Sequence, residues 1–158
     1  MNRVHRVNRH KAREAALQML YQWEVGRVPG PEAVRTYWLG RDAPPSLDDE
    51  HADLVPEQAV DEDGRTFANA LVNGTIERVN EADRLIAAHS RNWRIERMAV
   101  IDRLVMRMAI YELLAEQDTP AKVIINEAIE LARTFSGEEP VPLINGVLDS
   151  VRKELDRE

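Results

Sequence analysis

Arg3, Arg6, Arg9, Lys11 and Arg13 crowd the first fourteen residues against a single acid, Glu14. Residues 1–14 therefore carry +4 while the 158-residue chain carries −7, so residues 15–158 carry −11. An acidic body repels nucleic acid. Guanidinium and ammonium groups concentrated on one segment still attract phosphate, because local field and counterion release act on the cluster and not on the net charge. The chemistry that suits this spacing is polyanion binding, with Arg6, Arg9, Lys11 and Arg13 reaching phosphates; the other reading is a solvated, frayed terminus. His5 and His10 lie inside the cluster and add charge when protonated. Tyr21 and Trp23 follow two turns further on. Basic residues beside aromatics suit single-stranded RNA, whose unstacked bases offer faces for stacking. Trp23 continues an apolar face and reads as core, whereas Tyr21 lies off that face and reads as exposed.

Other chemistries find little to work with. There is no cysteine, which excludes disulfides, thiolate zinc sites and cysteine nucleophiles. His5, His10, His51 and His89 are scattered, with no pair at ligand spacing on one helix. Asp48 and His51 stand three apart inside a Pro-rich acidic stretch and read as a solvated loop. Asp61-Glu62-Asp63-Gly64 opens like a calcium loop, but its glycine comes too early and no acid closes it at the twelfth position. There is no phosphate-cradling glycine loop and no GxSxG elbow. The expectation is a protein that is not an enzyme, with no catalytic residue, metal or cofactor. The basic start is not followed by an apolar h-region, and no apolar run is long enough to span a bilayer. The cytoplasm is the expected location.

The elements that must position these residues read as helices almost throughout. Ala12, Ala15, Ala16, Met19, Leu20 and Trp23 recur at the 3–4 spacing of one helix face, predicting a helix over 8–25. Gly26, Pro29, Gly30 and Pro31 break it, and Pro31–Leu39 reads as a short second helix. Residues 40–60 hold Pro44, Pro45 and Pro56 with six acids and read as a mobile acidic loop. A third helix is expected to start near Asp61–Asp63, whose carboxylates suit a positive helix end, and to run unbroken to Ala88. Helices over 97–116, 122–135 and 141–157 follow, separated by turns at 90–94, 118–120 and 136–140. Leu71-Val72-Asn73-Gly74-Thr75-Ile76-Glu77 echoes Leu143-Ile144-Asn145-Gly146-Val147-Leu148-Asp149. Glycine inside a helix costs about 1 kcal/mol relative to alanine, so both glycines are expected to face a closely approaching helix. The echo is either a sign of two similar helical halves or chance.

Four blocks of this chain resemble the NusB family of bacterial transcription antitermination factors. Arg9-His10-Lys11-Ala12-Arg13-Glu14 with Ala16-Leu17-Gln18-Met19-Leu20-Tyr21-Gln22-Trp23-Glu24 is similar to the family's opening helix. Asp102 to Leu113 is similar to its central helix, and Val123 to Arg133 and Ile144 to Asp149 to its last two. The resemblance implies an all-α fold of two small helical bundles packed together, with about six to seven helices. A single domain over 1–158 is expected, with 1–8 as a flexible basic arm; the acidic loop over 40–60 is longer than the family's and inherits no function from it. The resemblance also implies an RNA-binding adaptor that works with a small-subunit ribosomal protein, NusE. The two hold the boxA element of nascent rRNA transcripts within the antitermination complex with RNA polymerase and support rRNA maturation. Arg9, His10, Lys11 and Arg13 match the family's arginine-rich RNA segment, and Phe135, Glu139 and Leu143 fall where the family lines its RNA groove. Tyr21 and Asp102 match positions facing the ribosomal partner. Asp102 has no cation at helical neighbour spacing, since Met98, Ala99, Val105 and Met106 occupy those positions. Its carboxylate is therefore expected to meet a cation on another chain. Leu143 stands where phenylalanine is common, and His10 where arginine is usual. Some members also self-associate and bury the arm.

Two alternatives carry different functions. A similar helical module precedes certain rRNA cytosine methyltransferases, which would make this chain an accessory to an enzyme. It holds no Rossmann-like segment and could not methylate by itself. The other alternative is a helical interaction scaffold with an incidental basic tail; the arm, Tyr21 and the four blocks together weigh against it.

Overall fold

The computed structural model describes the backbone of residues 3–42, 60–91 and 94–158, and the side chains of those residues from Arg9 onward. Among the described residues seven α-helices follow in order: α1 (Arg3–Glu24), α2 (Gly30–Asp42), α3 (Glu62–Glu77), α4 (Val79–His89), α5 (Val100–Ala115), α6 (Ala121–Phe135) and α7 (Val141–Glu154). A 3-10 turn, Ile95–Arg97, precedes α5. No strand occurs among the described residues, and the chain divides into two compact units, Met1–Ala70 and Leu71–Glu158. The all-α class with two small bundles is what the sequence predicts. Among the described residues no helix is long and apolar enough to cross a membrane.

Several boundaries differ from expectation: α5 begins at Val100 and not at 97, α7 ends at Glu154 and not at 157, and three further differences concern α1, α2 and α3. Helix α1 begins at Arg3, five residues before the predicted start. Helix α2 continues through Gly40 to Asp42, so the start of the expected acidic loop is helical; residues 43–59, including Asp48 and His51, lie outside the described residues. The predicted helix over 61–88 is two helices, because Arg78 leaves the helical region (φ −106, ψ 22). Hydrogen bonds from Arg78 N–H to Gly74 O and from Ala82 N–H to Arg78 O, both 3.0 Å, continue across it. The chain therefore bends there without stopping.

In the first unit α1 packs on α2. The predicted face, Ala12, Ala15, Ala16, Met19 and Leu20, is buried together with Leu17. Trp23, expected in the core, is only half-buried at the end of α1. Helix α3 starts where Asp61 Oδ1 accepts the Gly64 N–H at 2.7 Å, a side-chain cap on an otherwise unsatisfied donor. Trp38 Nε1 donates to Asn69 Oδ1 at 2.8 Å, and the Arg65 guanidinium lies 4.6 Å over the Trp38 ring. These contacts tie α2 to α3. Arg65 also donates to Asp42, whose carboxyl it holds below the usual range.

In the second unit α4, α6 and α7 pack against α5. Leu104, Val105, Met106, Met108, Ala109, Ile110 and Leu113 are buried, and so are Asp102, Arg107 and Glu112. A helix buried on most sides must satisfy the charges it carries inward. Arg107 does so by donating to both carboxylate oxygens of Asp83 on α4, at 2.7 and 2.9 Å. Beyond α7, Arg157 donates to Glu116 O and Thr119 O at 3.3 and 2.6 Å, and to Leu113 O. The guanidinium thus serves Leu113 O in the last turn of α5 and two carbonyls of the connection to α6.

The two Asn-Gly sites part company here. A side chain at Gly74 would overlap the Tyr111 ring of α5, whereas nothing lies within 4 Å of the place a Gly146 side chain would begin. The packing expectation holds for Gly74 and is corrected for Gly146, which is exposed. Gly74→Leu is expected to destabilise the chain by about 1–3 kcal/mol through overpacking. Gly146→Ala is expected to stabilise it by up to about 1 kcal/mol through helix propensity. Urea midpoints of the two variants check both; an unshifted Gly74→Leu midpoint would contradict the close approach.

Candidate nucleic-acid and partner interface

The basic residues of α1 do not form a uniform cationic arm. Arg9 and Arg13 are one helical turn apart and share a side of α1. Their guanidinium carbons lie 4.8 and 5.1 Å from the centroid of the Phe67 ring of α3. Arg13, which the sequence places among the groups reaching phosphates, is buried, at 3% exposure. A guanidinium can be buried this way because it is weakly hydrated and its flat face stacks on an aromatic ring. Glu14 meets His10 Nε2 at 3.1 Å and Lys11 Nζ at 3.4 Å. These are ordinary i,i+4 and i,i+3 helix pairs, and the acid offsets part of the local positive charge. Arg9, His10 and Lys11 are half-exposed and remain the described groups within reach of an external phosphate. The Arg6 side chain lies outside the described residues. Sequence reasoning missed Phe67, which reads only as one more apolar position on α3.

In the second unit, Phe135, Glu139 and Leu143 flank the connection from α6 to α7. Helix α6 ends as Ser136 and Gly137 N–H groups both donate to Ala132 O at 2.8 Å. Gly137 has φ +107, a conformation that suits glycine because it has no Cβ to clash. Arg133 bridges Glu130 and Glu138, each at 2.9 Å, and both partners raise its pKa. The connection is thereby tied back to α6. Phe135 is 38% exposed, Glu139 is exposed, and Leu143 is half-buried. An exposed ring beside an acid and an apolar side chain offers a stacking face and a hydrogen-bond acceptor.

Tyr21, expected at the surface, is 39% exposed on α1 in the first unit. Asp102 lies in the first turn of α5 in the second unit, where the helix end favours an anion. It is buried, and its Oδ1 has no hydrogen-bond partner among the described residues. Its sequence neighbour Arg103 turns away to donate to Ile95 O at 3.3 Å. Because the side chain is buried, charge reversal there is expected to perturb the fold. Among the described residues no group of three acids or histidines could hold a metal ion. Asp102→Lys is expected to destabilise the isolated chain by about 1–3 kcal/mol, and the near-isosteric Asp102→Asn by less. Denaturant unfolding of both variants reads the difference; equal stability of wild type and Asp102→Lys would place this position on the surface.

Comparison with known proteins gives these positions a context. The model of the NusB family matches residues 10–153, across both units. The transcription antitermination protein NusB of Koribacter versatilis is 42% identical over 150 residues, covering 95% of this chain and 92% of that protein. The solved structure of T. maritima NusB is similar with a TM-score of 0.68 at 31% identity, covering 92% of this chain and 91% of that one. A crystal structure of the antitermination factors NusB and NusE in complex with double-stranded RNA shares the fold, with a TM-score of 0.75 at 20% identity over 93% of this chain and 97% of that chain. With a family match over most of its length and relatives near 40% identity, this chain belongs to the NusB family.

Proposed function

We propose that this chain is an RNA-binding adaptor in transcription antitermination, acting with the ribosomal protein NusE on boxA-type RNA of nascent rRNA transcripts. The observation that carries the reading is the family match spanning both units in an acidic chain that carries a local cluster of five basic residues within residues 1–14. Arg9, His10 and Lys11, with Arg6, meet phosphates, while Phe135, Glu139 and Leu143 contact bases. Arg13 supports the site from within, being buried against Phe67. Tyr21 and Asp102 face the protein partner. A buried carboxylate oxygen without a hydrogen bond is unfavourable by about 1–3 kcal/mol, a cost that a donor from NusE would relieve on docking.

The test is a fluorescence titration of a boxA-like RNA with this protein, alone and with NusE. Because the NusB–NusE complex above contains double-stranded RNA, the duplex form is titrated in parallel. NusE is expected to tighten binding. Replacing Arg9 and Lys11 by alanine is expected to flatten the salt dependence of log K by about 0.7 per lost phosphate contact on a single strand. Asp102→Asn is expected to weaken the heterodimer while leaving RNA binding by the isolated chain intact. Calorimetry with NusE reads the latter, and wild-type affinity for Asp102→Asn would remove this carboxylate from the interface. No gain from NusE on either RNA would sink the adaptor reading.

A further inference from the structure

We infer that a pocket between α6 and α7 takes an unpaired base of the bound RNA. That the base belongs to an RNA rests on the reading above. The pocket has a volume of about 410 Å³, within the range of small-ligand pockets. Ile125, which is buried, gives it apolar surface, and the exposed Lys122, Asn126 and Asn145 line it as well. Among the described residues no hydrogen bond or ion pair engages the side chains of Lys122, Asn126 and Asn145.

The rest of the wall is already satisfied. Arg152 donates through Nε and one terminal nitrogen to Asp149 Oδ1 at 3.1 and 2.9 Å, and through the other to Arg157 O at 2.9 Å. Lys153 also meets Asp149, at 3.2 Å. Arg152 and then Lys153 hold the Asp149 carboxyl below its usual range. Of the charges lining the pocket, Lys122 and Arg152 balance Asp149 and Glu158, so a free anion gains little there. What remains unspent is hydrogen bonding. Two carboxamides each present a donor and an acceptor, the pattern that a base edge presents in return, beside apolar surface that suits the face of a ring. Lys122, with no acid partner among the described residues, can take the phosphate attached to that base.

Gly146 gives access. Glycine inside a helix is unfavourable; at Gly74 the Tyr111 ring explains it, whereas at Gly146 nothing within 4 Å does. Gly146 is exposed, adjoins Asn145 in α7 and stands one turn beyond Leu143 on the same side of that helix. A strand that contacts Phe135 and Leu143 at the α6–α7 connection can cross bare backbone there and place a following base in the pocket. A peptide could also use the two amides, but it would bring no phosphate for Lys122.

The test follows the Asn126 and Asn145 side-chain amides of the full chain by NMR. Adenosine monophosphate is expected to shift both, and ribose 5-phosphate, which lacks the base, neither. Single-stranded RNA is expected to shift them more than its duplex form, because pairing occupies base edges. In fluorescence titrations the exposed pair Asn126→Ala with Asn145→Ala is expected to weaken single-strand binding about fivefold and to leave duplex binding within about twofold. The amide readout uses the wild-type chain, so it decides the matter even if the double variant does not fold. Wild-type single-strand affinity of the double variant, or amides that respond equally to ribose 5-phosphate, would overturn the base subsite and leave the RNA reading intact. Amides that move only on addition of NusE would overturn it too, and assign the pocket to the protein partner. If adenosine monophosphate shifts the amides but no RNA binds, the pocket stands as a nucleotide site and the RNA reading alone fails.

Discussion

Burying α5 is the constraint on which the second unit depends. Ten residues of its sixteen are buried, three of them charged. Desolvating a guanidinium is costly unless its donors are matched, and a two-toothed carboxylate partner is the least expensive match. Asp83 supplies it for Arg107, which fixes the place of α4. Arg157 does the corresponding work for the carbonyls around the end of α5, which fixes the chain beyond α7. The Tyr111 ring occupies the space a side chain at Gly74 would need, so the end of α3 is set by the same helix. The α6–α7 connection that carries Phe135, Glu139 and Leu143 hangs on this frame and is stiffened locally by Arg133 and by the left-handed Gly137.

The first unit handles charge in the opposite way. Its basic residues sit on the helix that also carries the alanine-rich face, so binding and packing compete for the same side chains. The competition is resolved by position. Arg13, one turn inside Arg9, is drawn into the interior beside Phe67, while Arg9, His10 and Lys11 keep partial exposure. Glu14 tempers the cluster through two helix pairs. An isolated patch of like charges would destabilise its own helix; one acid at i+3 and i+4 relieves that repulsion with little loss of the outward field.

Asp102 shows a third solution, in which a charge is left unfinished. Its Oδ1 is buried and accepts no hydrogen bond from the described residues, yet it stands in a helix first turn where an anion is favoured. The backbone field makes the carboxylate tolerable in the isolated chain, and a docking donor would complete it. Thr75, on α3, has a buried hydroxyl oxygen in the same condition, but a neutral hydroxyl is far easier to leave without a partner than a carboxylate.

Much of this was legible in the residues alone. The 3.6-residue period, the proline and glycine breaks and the acids at helix starts determined that the chain is helical and where most helices lie. Residue types determined the chemistry, since a basic cluster on an acidic cysteine-free chain points to phosphate and away from thiolate or redox sites. Four ordered blocks carried the family, because those local patterns survive without reference to the fold. What tertiary structure decided is which surroundings each local pattern meets. The Asn-Gly echo makes the point: two nearly matching segments both form helix, yet one glycine lies under a tyrosine ring and the other faces open space. The bend at Arg78, the burial of Arg13 and Asp102 and the contact of the Phe67 ring with Arg9 and Arg13 share that origin. Helix propensity is a property of near neighbours in the chain, whereas burial, stacking and close approach are properties of neighbours in space, brought together here by helices 30 to 60 residues apart.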